Sequence, residues 1–150
     1  MKYTKGFTLI ELLMVVAIIA ILTAITVTAL NTSRSRGSDG AIKKQIIEAR
    51  SQAELYYTNN GGNYTNLCSS GTNNINAMLT KLATLSATTL AINSGAVQTA
   101  TTLNCNTSAT GYAVSVKLKE PTTTTYLCID SANATKRTTT PLSASTTVCP

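Results

Sequence analysis

The sequence predicts an α+β chain in which a long N-terminal α-helix forms a spine packed on a small antiparallel β-sheet head. Three observations carry this prediction. Residues 7–30 are an apolar run with a single charge, Glu11. Apolar residues then recur at three and four residue steps as far as Tyr57. Beyond a turn-rich break, residues 111–119 alternate with a period of two, the mark of a strand.

Taken in order, residues 1–6 form a short basic leader and residues 7–30 a hydrophobic helix. At about 1.5 Å per residue that helix is roughly 36 Å long, enough to cross a hydrocarbon core of about 30 Å. A charge at the centre of such a span costs about 2.5 to 3.5 kcal/mol, and less near its end. Glu11 therefore calls for a role. A secretory signal peptide has an apolar core of 7 to 15 residues with its cleavage site behind it, and this run is longer. A plain single-span anchor, with Lys2 and Lys5 left in the cytoplasm, fits the length but gives Glu11 nothing to do.

Residues 31–58 read as an amphipathic second half of the same helix. Ile42, Ile46, Ala49, Ala53 and Tyr56, flanked by Ile47 and Tyr57, make one apolar stripe. Asp39 with Lys43, Lys44 with Glu48 and Arg50 with Glu54 stand four apart, which suggests a solvated charged face. A helix reaching Tyr57 is far longer than a bilayer needs, so this half must pack on a folded head. Residues 31–40 are poor helix formers with two glycines. Either a weak point or bend lies there, or Ser38 or Asp39 caps a separate second helix. Asn59, Asn60, Gly61 and Gly62 end the helix.

The head, residues 59–150, opens with a loop through residues 64–71 and a short helix over 74–85 marked by Ile75, Met78, Leu79, Leu82 and Leu85. Residues 90–103 are small, polar and ambiguous. In the strand over 111–119, Tyr112, Val114, Val116 and Leu118 share one side, and Ala113, Ser115, Lys117 and Lys119 the other. Glu120, Pro121 and Thr122 turn the chain into a second strand over 123–129, and residues 143–148 can form a third.

The stretch Lys5, Gly6, Phe7, Thr8, Leu9, Ile10, Glu11, Leu12, Leu13, Met14, Val15, Val16 resembles the class III signal and N-terminal helix of bacterial type IV pilins and of the pseudopilins of type II secretion. The likeness covers about the first thirty residues; beyond them it is one of layout. It implies that a prepilin peptidase cuts between Gly6 and Phe7 and that the new amino group of Phe7 is methylated. Glu11 then neutralises the Phe7 amine of a neighbouring subunit, since opposite charges in a low-dielectric bundle attract strongly. The implied partners are further copies of the chain in a helical homopolymer, the peptidase and an inner-membrane pilus assembly platform. The implied location is the cytoplasmic membrane before assembly and an extracellular filament after it. Adhesion, twitching motility and DNA uptake share this subunit design, and a pseudopilin is the alternative. Many pilins carry a proline in the membrane half; this chain has Ile25, Thr26, Val27 and Thr28 there.

Four cysteines, Cys68, Cys105, Cys128 and Cys149, favour two disulfides over a zinc site, because the chain has no CxxC pair and no His. Three pairings are open to them. The preferred set joins Cys68 to Cys105 and Cys128 to Cys149, the second being similar to the disulfide-bounded C-terminal loop of many type IV pilins.

Composition argues against an enzyme. Of 150 residues none is His or Trp, and after the long helix the acids are Glu120 and Asp130 alone, so no acid and base pair, cofactor or metal site is expected. Two carboxylates also make a poor calcium loop of the kind that major pseudopilins often hold. Without Lys2 and Lys5 the chain keeps ten basic and six acidic side chains. Repeated along a polymer, Lys81, Lys117, Lys119, Lys136 and Arg137 could favour DNA or anionic surfaces, although a modest basic excess more often serves solubility. Asn63, Asn106 and Asn133 each open an N-x-Ser/Thr triplet.

Overall fold

The structure is a computed structural model that describes residues 6–120 and 123–150. Most of the leader, with Lys2 and Lys5, and Pro121 and Thr122 of the expected turn lie outside the described residues. The chain divides between Arg34 and Ser35 into two compact units.

Helix α1 runs over Leu9–Asn59 without interruption. In the first unit no residue from 6 to 31 is covered. Threonine hydroxyls within this apolar stretch are satisfied by the helix itself: Thr23 donates to the Ile19 carbonyl at 2.8 Å, Thr26 to that of Thr23 at 3.0 Å and Thr28 to that of Ile25 at 2.8 Å. Such back-bonding lets a hydroxyl sit in an apolar setting.

Residues 31–40 belong to the one helix α1, and no separately capped second helix starts there. Asp39, free of capping duty, instead accepts the Lys119 N–H at 2.6 Å. Gly37 and Gly40 each weaken a helix by about 1 kcal/mol relative to Ala. Ile42, Ile46, Ala49 and Ala53, all fully buried in the second unit, offset that within the next four turns. The helix ends where the glycines allow it, with Gly61 and Gly62 at φ +66° and +77° and the Gly62 N–H on the Tyr57 carbonyl at 2.9 Å.

Helix α2, Asn76–Ser86, stops at Ala87, which takes a left-handed conformation. Five strands follow: β1 Thr89–Ile92, β2 Thr102–Thr107, β3 Tyr112–Lys117, β4 Tyr126–Asp130 and β5 Thr135–Thr138. They lie in sequence order, antiparallel except that β1 runs parallel to β2 with Thr89 opposite Thr102. The α+β architecture is as expected, but the ambiguous stretch supplies a parallel edge to a sheet expected to be wholly antiparallel. Residues 143–148 form no strand; the fifth strand is Thr135–Thr138 instead. The C-terminal segment has its backbone engaged elsewhere, since the Asn106 amide donates to the carbonyls of Ser143 and Thr146 at 3.4 and 3.0 Å and Ser145 sits at φ +55°.

Period two sorts the sheet into two faces. Leu103, Cys105, Tyr112, Val114, Val116, Leu127 and Ile129 point into the main core with Ile42, Ile46 and Ala53 of α1 and Leu79 and Leu82 of α2. The opposite face is polar and also covered. Asn104, Asn106, Ser115 and Asp130 are buried there, beside a small cluster of Ala113, Cys128, Leu142 and Cys149. Gln98 pins this layer by donating to the Ser115 carbonyl at 2.8 Å and accepting the Leu142 N–H at 3.2 Å. Asp130 accepts N–H groups from Ala132 and Ala134 on one oxygen and from Cys149 on the other, at 2.9 to 3.0 Å. Disulfides join Cys68 to Cys105 and Cys128 to Cys149, one on each face. Each can contribute roughly 2 to 4 kcal/mol by restricting the unfolded chain.

The charged face of α1 is less solvated than the sequence suggests. Lys44 and Glu48 do meet, at 3.8 Å. Arg50 turns inward to the carbonyls of Asn133 and Ala134, and Glu54 accepts the Tyr64 hydroxyl at 3.1 Å. Tyr64 stacks on Tyr57 at 4.5 Å and meets Tyr112 at 5.0 Å between ring centroids. Burial, then the Glu54 hydrogen bond, pushes the Tyr64 phenol up to about 12, and burial raises Tyr112 as well.

Two predictions follow from this packing. Asp130→Ala strands three backbone donors and should cost about 3 kcal/mol in denaturant unfolding of the detergent-solubilised chain; an unchanged midpoint would refute the role given to this carboxylate. Because the folded pKa of Tyr64 lies above the unfolded value near 10, its contribution is complete below pH of about 10 and declines as pH rises to about 12. Alkaline melts should therefore fall less steeply across that window for Tyr64→Phe than for the wild type.

Candidate assembly site at the helix N-terminus

Thr8 immediately precedes the first helical residue, and Glu11 is the third residue of α1. Their side chains close a reciprocal cap. The Thr8 N–H and hydroxyl both donate to Glu11 Oε2 at 2.8 Å, and the Glu11 N–H donates to Thr8 Oγ1 at 3.3 Å. A Thr with a Glu three residues on satisfies two of the four N–H groups that every helix start leaves unpaired, and the carboxylate also suits the positive end of the helix dipole. Only one carboxylate oxygen is used. Among the described residues Oε1 has no hydrogen bond, so it can still receive a cation.

Around this cap nothing is covered. Phe7 is 85% exposed, and a Cβ placed on Gly6 would meet nothing within 4 Å. Internal packing therefore gives no reason for a glycine at position 6 or an aromatic at position 7. Leu9, Leu12, Leu13 and Val16 continue the exposed apolar surface along the helix. An all-round apolar helix belongs in lipid or inside a bundle, and α1 is long and apolar enough to cross a membrane.

Residues 1–27 match the family described as the prokaryotic N-terminal methylation motif. The N-terminus carries that motif. A relative in Thermus thermophilus, the type IV wide pilus major component PilA4, is 41% identical over 66 residues, which cover 44% of this chain and 50% of that protein. The chain thus spans about half the length of the curated relative it matches. No solved structure gives a significant match. The chain is thus similar to a type IV pilus component over part of its length, and its long helix with a five-stranded sheet is an α+β architecture.

The other residues singled out belong to the second unit. Cys68, Cys105, Cys128 and Cys149 all belong to the second unit, as two disulfides. Of the basic residues there, Arg137 pairs with Glu120 and Lys136 donates to the Cys149 carbonyl at 3.4 Å. Asn106 is buried and its amide is occupied, which removes its N-x-Ser/Thr triplet from the surface. Sequence reasoning gave Glu11 only an intermolecular role and missed its cap, although Thr8-x-x-Glu11 ahead of an apolar run is the signature of that cap.

The cap separates two properties of Glu11. Thr8→Ala removes the hydroxyl but keeps the charge, and should loosen the helix start by about 1 kcal/mol, seen as roughly fivefold faster amide exchange at residues 9–11 in micelles. Glu11→Gln retains a capping oxygen and should leave that exchange nearly unchanged; equal loss in both variants would show that Thr8 does not hold the cap.

Proposed function

We propose that this chain is the structural subunit of a type IV pilus, exported and processed at its N-terminus and then polymerised through its apolar helix into a surface filament. One observation carries the reading. A methylation motif carries a helical stretch, apolar on every side as far as Leu30, whose one carboxylate, Glu11, is held at the third residue of α1 with an oxygen to spare.

In this reading a prepilin peptidase cuts between Gly6 and Phe7. The requirement for Gly6 then comes from the peptidase, consistent with its having no packing role in the fold. The freed and methylated Phe7 amine of one subunit meets Glu11 of its neighbour at Oε1, while Thr8 holds Oε2. An ion pair between low-dielectric helices fixes register as well as contributing energy, because a shifted subunit leaves one charge unpaired. The subunit resides in the cytoplasmic membrane until the assembly platform extracts it. Its disulfide-tied second unit is then displayed on the filament for adhesion, twitching motility or DNA uptake.

Intact mass and N-terminal fragment analysis of sheared surface filaments tests this directly. Chains beginning at N-methylated Phe7 are expected, with filament yield lost or sharply reduced for Glu11→Val and for Glu11→Gln, which keeps the cap without the charge. A chain that starts at Met1, or that stays membrane-bound and indifferent to Glu11, would overturn the proposal; a short periplasmic polymer with no shed fibres would favour the pseudopilin.

A further inference from the structure

The second unit contains a cleft of about 350 Å³ whose walls include Arg36, Lys43 and Arg137 around Leu118 and Leu127. Its acids are already engaged. Asp39 takes the Lys119 amide, and Glu120 is paired with Arg137. Arg36 and Lys43 are exposed and have no partner among the described residues; with Arg137 they outnumber Asp39 and Glu120, so the cleft keeps a positive excess beside an apolar floor.

The same chain holds few carboxylates that could answer them. There are six acidic residues in all. Glu11 closes its cap with Thr8, Glu54 accepts the Tyr64 hydroxyl, and Asp130 is buried under three N–H groups. Asp39 and Glu120 line the cleft itself, so the remaining acid of the second unit that could enter it is Glu48. Its one contact is Lys44 at 3.8 Å, with both side chains largely in solvent. An exposed pair of that length holds a carboxylate weakly.

Helix geometry then says where Glu48 lies relative to the cleft. Arg36 and Lys43 are seven residues apart and so share one flank of α1, about 20° from eclipsed. Glu48 is five residues past Lys43, about 140° further round. The buried stripe of Ile42, Ile46, Ala49 and Ala53 separates the two flanks. A cation flank and an anion flank on opposite sides of one helix cannot satisfy each other within a subunit. Between copies they can meet, and a heterologous contact of this kind repeats along an open filament when its rotation does not close. Gly37 and Gly40 lie between the flanks on the exposed side, and a Cβ on either would meet nothing within 4 Å. The fold of a single chain therefore does not call for two residues that weaken the helix, whereas close approach of a second chain does.

We infer that Glu48 of one subunit docks into the Arg36 and Lys43 cleft of the next, forming a second electrostatic contact along the filament. This rests on the polymer reading above, and the second copy is the occupant because Glu48, weakly held and outside the cleft, complements the positive excess within it.

The test is a charge swap scored by sheared-filament yield. Arg36→Glu and Glu48→Arg should each lower the yield about tenfold, through a weak contact repeated at every subunit. The double variant should recover most of it. Because the substituted side chains are exposed, melting of the unassembled chain should stay at the wild-type midpoint in all three. Independently, Arg36→Cys with Glu48→Cys, treated in filaments with a short bismaleimide, should give a ladder beyond dimer that neither single variant gives. Single variants with normal yield, a double variant worse than either single, or no ladder would overturn the contact. Loss of DNA retention with normal filament yield in Arg36→Glu would do so too, by making the cleft an anion site for a nucleic acid. Absence of filaments from the wild type would remove the polymer reading itself, and with it this contact.

Discussion

An apolar helix with no covered side is the constraint on which the rest of the molecule depends. Fifteen large apolar side chains between Phe7 and Leu30 stand about half exposed or more. At about 1.5 to 3 kcal/mol for each such side chain left in water, the total is tens of kcal/mol, beyond the 5 to 15 kcal/mol by which a typical domain is stable. No rearrangement of the second unit can absorb that. The helix must be in lipid or against other copies of itself, and a route from one to the other is what a filament subunit needs. The same magnitude explains why one carboxylate is tolerated: a cost of about 3 kcal/mol at most is small against the apolar drive, and near the end of the run it can be met by Thr8 and by a cation.

The second unit solves a different problem. A small head has little apolar area to bury, and this one spends one face of its sheet on amide and hydroxyl side chains. Asn104, Asn106, Ser115 and Asp130 would be costly under a cover of loops unless that cover were tied down and hydrogen-bonded. Cys149 performs both tasks at once, through its bond to Cys128 and its N–H on Asp130. Gln98 supplies the second clamp by bridging Ser115 and Leu142. The apolar face then rests on α1, whose residues Ile42 to Ala53 act as the core of a domain that would otherwise lack one.

Legibility in the sequence tracked how local the determining physics was. The apolar run, the stripe from Ile42 to Ala53 and the alternation of Tyr112, Val114 and Val116 are set by period and burial, and all appear where periodicity puts them. Strand β5 was not legible because Thr135, Lys136, Arg137 and Thr138 have no apolar member; it is an edge strand whose partner is chosen by the turn that Asp130 locks. Residues 143–148 looked like a strand by composition but are held by side chains distant in sequence. Residues 31–40 looked breakable because propensity counts only the local chain, whereas burial of Ile42 and Ile46 and the bond from Lys119 to Asp39 come from the folded head. At the candidate site the motif was plain, but its cap was obscured by the stronger expectation of an intermolecular role for Glu11.

In the proposed filament, Glu11 and Glu48 would let a chain with few acids specify an assembly. Acidic side chains are outnumbered two to one by basic ones, so an unpaired carboxylate is the scarce partner, and its position carries more information than that of any lysine. Four of the six acids are consumed inside the second unit, where they fix tertiary structure. Glu11 and Glu48 sit 37 positions apart on one helix, one in each unit. In an apolar bundle the first has an interaction strength that salt scarcely screens, whereas the second, in contact with water, is weakened by salt within a Debye length of about 8 Å. A filament built on both would keep its core register at any ionic strength, while the packing of its outer layer would respond to salt.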